Sequence, residues 1–178
     1  MRGGKRGFVK EDETPEYLAG LASRGDEESF AALCGVLKTK LFRTAKGVLG
    51  NETLALDAVS EAVFRAFKGI KRLREPKYAE TWFVRIVLNV ARDIKRRQKH
   101  EVIMETVPEG AHYDNHSDME FLALIESLQS ELREIISLKY YSGYTLSEIS
   151  AILDIPEGTV KSRLNRALNL LRLEVSNE

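Results

Sequence analysis

Thr145-Leu146-Ser147-Glu148-Ile149-Ser150-Ala151-Ile152-Leu153-Asp154-Ile155-Pro156-Glu157-Gly158-Thr159-Val160-Lys161-Ser162-Arg163-Leu164-Asn165-Arg166-Ala167 reads as two helices joined by a tight turn. Thr145 with Glu148 three residues on is a capping box, and Leu146, Ile149, Ile152 and Leu153 form one apolar stripe. Pro156 then stops the first helix and starts the second. On a 3.6-residue wheel the second helix turns Val160, Leu164, Ala167, Leu168 and Leu171 inward and Ser162, Asn165, Arg166 and Asn169 outward. Lys161 and Arg163 flank the outward face, which therefore offers cations to phosphates, and amide and guanidinium groups to base edges in a major groove. An ordinary amphipathic surface helix would share the wheel. The capping box, turn proline and Lys/Arg/Asn face together point to a DNA-reading helix-turn-helix.

With 178 residues, 43% of them hydrophobic, the chain has enough apolar material for one packed domain or two small ones. No apolar run approaches membrane-spanning length, and the basic start from Met1 to Lys10 lacks the apolar segment of a secretory signal, so the cytoplasm is expected. A lone Cys34, spaced with Phe30, Leu33 and Leu37, reads as a small core residue. The formal net charge is zero, but it is unevenly laid out. Residues 1–100 carry a net +8, residues 101–120 a net −6 with no basic residue, and residues 121–178 a net −2.

The acidic stretch from Glu101 to Glu120 contains Pro108, Gly110, Asn115, Ser117 and Asp118 and lacks helical periodicity, so it reads as a flexible linker between two helical domains. Before it, Thr14-Pro15 opens a short helix, and Asp26 caps a long one that Gly50-Asn51 stops. A third helix spans about 52–71, with Ala55, Ala58, Val59, Ala62, Val63, Phe67 and Ile70 inward, and a fourth about 79–99, with Phe83, Ile86, Val87, Val90 and Ile94 inward. After the linker, Phe121, Leu124, Ile125 and Leu128 mark one helix, and Leu132, Ile135, Ile136 and Leu138 another that ends at Ser142-Gly143. Sustained two-residue alternation is absent, so the expected class is all-α.

Trp82, Arg85, Asn89, Arg92, Asp93 and Arg96 share a narrow arc beside the apolar stripe of the fourth helix. An aromatic plane, an amide and a ladder of arginines suit an unpaired base and its phosphates. The same residues would equally give a core anchor and a solvated helix C-terminus, where positive charge is favourable. His112 and His116 lie four apart in the acidic stretch without a nearby cysteine, so no metal is expected. A phosphate-binding glycine loop and a nucleophile–base constellation are both missing from the pattern; neither cofactor nor catalysis is expected.

Taken together, the two halves resemble the extracytoplasmic-function (ECF) sigma factors of bacterial RNA polymerase, over about residues 16–100 and 120–173. The resemblance rests on Ala55-Leu56-Asp57-Ala58-Val59-Ser60-Glu61-Ala62-Val63-Phe64 and on the run from Trp82 to Arg96, which look like the family's second region. Leu128 to Glu134 and Tyr144 to Arg172 look like its fourth. It implies a second-region domain over 1–100, a linker over 101–119 and a fourth-region domain over 120–178. The implied partners are core RNA polymerase (clamp helices and flap), promoter DNA and an anti-sigma factor, commonly membrane-bound in the family, with the factor otherwise at the nucleoid. Asp57, Ser60 and Glu61 would meet the polymerase clamp. Lys77, Tyr78, Trp82, Arg85, Asn89, Arg92 and Arg96 would serve the minus-ten element, and Thr159, Lys161, Ser162, Arg163, Asn165 and Arg166 the minus-thirty-five element. Leu56 stands where the family usually has Glu, and Ser60 where it usually has Gln. The rival reading is a helix-turn-helix regulator that binds an operator alone, usually as a dimer.

Overall fold

The computed structural model describes residues 14–102 and 122–175, and among these every regular element is helical. Helix α1 (Pro15–Ser23) starts where the Thr14 hydroxyl accepts the Tyr17 N–H, with proline in the first turn. Helix α2 (Glu27–Leu49) is capped by Asp26, whose carboxylate accepts from Glu28 N and Ser29 N. It ends at Gly50, where φ is 68°, a left-handed conformation that glycine takes without steric penalty. Asn51 immediately caps α3 (Glu52–Gly69) by accepting from Leu54 N. Two 3₁₀ turns, Ile70–Arg72 and Pro76–Tyr78, lead into α4 (Ala79–Val102).

The N-terminal domain packs α1, α3 and α4 around α2. Ala55, Ala58, Ala62 and Ala66, all fully buried, form the inner stripe of α3 and let it lie close against α2. Phe83 of α4 is fully buried at the centre and stacks near Phe30 with ring centroids 6.3 Å apart. Phe67, expected in the core, remains 46% exposed and presents its ring to the edge of Phe30 at 5.3 Å. It sits at the rim because the alanine stripe lies nearer to α2. Helix α4 continues to Val102, so the first two residues assigned to the linker are helical. The remaining linker residues, with His112, His116 and Phe121, lie outside the described residues.

The C-terminal domain comprises α5 (122–126), α6 (Ser130–Ile136), α7 (Leu146–Leu153) and α8 (Glu157–Val175). Helix α6 runs into a π turn, Ser137–Tyr141, and Gly143 at φ 81° redirects the chain into α7. The inward set expected for α8 holds, with Val160, Leu164, Ala167 and Leu171 buried and Leu168 half-buried.

The two domains pack against each other, α2 meeting α6 and the π turn, and α4 meeting α7. Gly47 of α2 is the point of closest approach. Its carbonyl accepts the Ser137 hydroxyl at 2.9 Å, and a Cβ at position 47 would stand only 2.7 Å from that of Ser137. Thr44 and Ser142 pair their hydroxyls at 3.4 Å alongside.

Candidate nucleic-acid interface

The helix-turn-helix is set by its own capping groups. The Thr145 hydroxyl accepts Glu148 N, and the Glu148 carboxylate accepts Thr145 N at 2.7 Å, which holds that carboxyl below the usual range. Asp154 closes α7 at φ 57°, a left-handed conformation that Asp tolerates better than most residues. The Ser150 hydroxyl then donates to Ile155 O at 2.6 Å and fixes the turn.

On α8 this turn presents Lys161, Ser162, Asn165 and Arg166 to solvent. The Ser162 hydroxyl donates back to Thr159 O at 3.0 Å, whereas no internal hydrogen bond or ion pair engages Lys161, Asn165 or Arg166. Two of the six expected minus-thirty-five residues lie differently. Thr159 is half-buried, and Arg163 turns toward α6 to pair with Glu131 at 2.9 Å.

Helix α4 brings Arg85, Asn89, Arg92 and Arg96 to one exposed face, with Trp82 apart from them. The indole is half-buried, packs over Gly69 at 3.2 Å from where a Cβ would stand, and meets Phe83 edge-on. Trp82 therefore anchors the base of the preceding loop. In that loop Lys77 lies over the exposed Tyr78 ring at 4.9 Å and beside Glu75 at 3.8 Å.

Two of the α4 arginines meet the C-terminal domain. Arg85 Nε donates to Ala151 O at 3.1 Å and Ile152 O at 3.2 Å, and its Nη2 also donates to Ala151 O. These are carbonyls of the last turn of α7, where a cation is favourable. Arg92 grips the buried Glu134 carboxylate with both edges of its fork, Nε at 2.8 Å and Nη2 at 2.6 Å. That bond raises the Arg92 pKa.

Beside this pair a cleft of about 690 Å³ opens between the domains, lined by Lys95, Arg96, Arg133 and Arg163 among others. Burial, reinforced by Arg133, pushes Lys95 down to about 8 against the pull of Glu126 and Glu134, while its amine donates to Val48 O at 3.0 Å. An unfolded lysine titrates near 10.4, so the folded chain binds fewer protons between the two values. The cost of the buried ammonium is fully present below about pH 8 and fades as pH rises toward 10.5. Lys95→Met should therefore stabilise the chain by about 1 kcal/mol at pH 7, after allowing for screening of the half-buried amine and the lost bond to Val48, and by less at pH 10. Urea denaturation of both proteins at the two pH values checks this. An equal difference at both would show that Lys95 carries no such penalty.

On α3, Asp57, Ser60 and Glu61 are exposed. The Ser60 hydroxyl donates to Leu56 O, and Glu61 accepts Arg65 Nε at 2.7 Å. Leu56 and Phe64, 53% and 54% exposed, flank Ser60 on the same face, so the outward surface of α3 is apolar as well as acidic. The wheel that places the alanines inward places these two outward, a signal the sequence reading passed over.

Residues 36–101 match the sigma-70 region 2 family and residues 118–171 the sigma-70 region 4 family. The chain is 30% identical over 146 residues to RNA polymerase sigma factor SigV of Bacillus subtilis, covering 79% of this chain and 87% of that protein. It belongs to the ECF sigma factors. It is likewise 29% identical to the ECF factor SigW of Bacillus subtilis (85% of this chain, 91% of that protein) and 28% identical to the ECF sigma-E factor of Escherichia coli (89% and 93%). Among solved structures, the fold resembles CnrH in its complex with the cytosolic domain of CnrY, with a TM-score of 0.75 at 22% identity over 92% of this chain and 98% of that one. It also resembles the sigma factor RpoE of Bartonella quintana, in complex with the anti-sigma factor NepR, with a TM-score of 0.69 at 22% identity over 84% and 98%. As an ECF sigma factor, the chain is a transcription initiation factor that directs RNA polymerase to promoters. Among its described residues no helix is long and apolar enough to cross a membrane.

Proposed function

We propose that this sigma factor reads the minus-thirty-five element with Lys161, Ser162, Asn165 and Arg166 of α8, and holds the opened minus-ten element with Asn89, Arg85, Arg92 and Arg96 of α4 and the loop carrying Lys77 and Tyr78. The observation that carries this reading is the outward α8 face, whose Lys161, Asn165 and Arg166 have no partner within the described protein. Thr159 supports the turn, and Arg163 serves the Glu131 contact before it serves DNA. Asp57, Ser60 and Glu61, with the exposed Leu56 and Phe64, form the surface offered to the polymerase clamp. The protein acts in the cytoplasm as a specificity subunit and not as an enzyme in its own right. A protein inhibitor is a further partner, on the likeness to RpoE, which was solved with an anti-sigma factor.

Arg166→Ala should weaken every promoter, because a guanidinium on phosphate carries no sequence information. Asn165→Ala should instead reorder base variants of the minus-thirty-five element, a bidentate Asn–adenine contact discriminating by about 1–3 kcal/mol. Single-round transcription with core polymerase over a panel of base variants tests both. Uniform losses for Asn165→Ala would remove it from direct readout, and tight operator-like binding by the free protein without any effect of polymerase would favour a stand-alone regulator.

A further inference from the structure

Arg85 and Arg92 occupy an unusual position for residues offered to a nucleic-acid strand, because the protein's own second domain already holds them. What holds them resembles what a strand would provide. Glu134 presents two carboxylate oxygens to the Arg92 fork, and the last turn of α7 presents the Ala151 and Ile152 carbonyls at the negative end of a helix dipole to Arg85. Asp154 adds a carboxylate 3.8 Å from Arg85. Both arginines therefore sit on oxygen groups that carry negative charge, as phosphates do. The outward α8 residues Lys161, Asn165 and Arg166 are left uncovered by the same packing.

We propose that the helix-turn-helix domain is an intramolecular competitor of the promoter's single strand for Arg85 and Arg92, so that the closed chain exposes its minus-thirty-five face while masking its minus-ten face. This rests on the assignment of Arg85 and Arg92 to the opened strand. The domains close where Gly47 admits Ser137, and neither residue belongs to the proposed DNA or polymerase surfaces. Opening releases both arginines together, since the contacts of α7 and of Glu134 belong to one rigid helical domain. A strand bound to the arginines must, by the same linkage, drive the domains apart.

Gly47→Ala tests this. An added Cβ would strike Ser137 at 2.7 Å, yet alanine is the better helix former within α2, so the N-terminal domain stays folded. Small-angle scattering should show a larger radius of gyration for the variant. Fluorescence anisotropy should show tighter binding of a fluorescein-labelled oligothymidylate of about a dozen nucleotides, by roughly tenfold if about nine-tenths of the wild-type chain is closed. Glu134→Gln, which removes the charge that holds Arg92 from the other domain, should shift both readings the same way by less. Adding Arg92→Ala to Gly47→Ala should abolish the gain in affinity. A variant that stays compact, or that opens without binding the strand more tightly, would overturn the competition. The minus-ten assignment fails separately, if Arg85→Ala and Arg92→Ala leave initiation by the reconstituted holoenzyme unchanged.

Discussion

Phe83→Ala should cost the protein about 3–5 kcal/mol of stability, the usual loss when a fully buried phenylalanine is truncated in a core that cannot collapse around the void. Phe83 has 0% of its surface exposed and stands between the Phe30 ring at 6.3 Å and the Trp82 ring at 6.0 Å. Helix α4 packs on α2 and α3 through this residue and its neighbours Val84, Val87 and Leu88, all buried. A loss of that size is a large part of the roughly 5–15 kcal/mol that a domain of this kind possesses. The melting temperature followed by circular dichroism should fall by roughly 10–20 °C. Initiation should fail with it, because the scaffold of the α4 arginines is lost. A substitution at an exposed α4 position such as Arg96 should leave the melting temperature nearly unchanged. A variant that melts within a few degrees of the parent would show that the core around Phe83 repacks.

Asn89→Ala should impair initiation on fully duplex promoters by roughly 10- to 100-fold, and far less on templates with a pre-opened bubble. Asn89 is exposed on α4 between Arg85 and Arg92, and its Oδ1 accepts from Arg92 Nη1 at 3.3 Å. An amide so placed can hold the edge of an extruded base, and extrusion from a duplex costs a few kcal/mol that such contacts must offset. On an opened template that cost has already been met. Single-round transcription on the two templates measures the ratio directly. Equal defects on both would make Asn89 a support for Arg92 instead of a base contact.

Much of the fold could be read along the chain because the forces that write it act over a few residues. Thr14, Asp26, Asn51 and Thr145 each cap the helix expected of them, since a cap needs only a side-chain oxygen two or three residues before an orphan N–H. The stripes of α7 and α8 turned the expected residues inward, which left Lys161, Ser162, Asn165 and Arg166 outward. Phe67 departed from its stripe because periodicity states direction, not depth, and the small alanines of α3 left the larger ring at the rim.

The sequence by itself therefore determined the helices, their caps, the two domains and the family to which they belong. Only the tertiary structure decided how one domain answers the other. Glu134 reads as a polar position near the end of α6, and its burial against Arg92 follows from a partner 42 positions away. Gly47 reads as a weak point in a helix, until Ser137, 90 positions on, occupies the space its missing Cβ leaves. Arg163 lies on the flank of an exposed face until α6 brings Glu131 to it. Such pairings leave no local signature, because a side chain's partner across a domain boundary is set by the packing of whole helices and not by periodicity or capping.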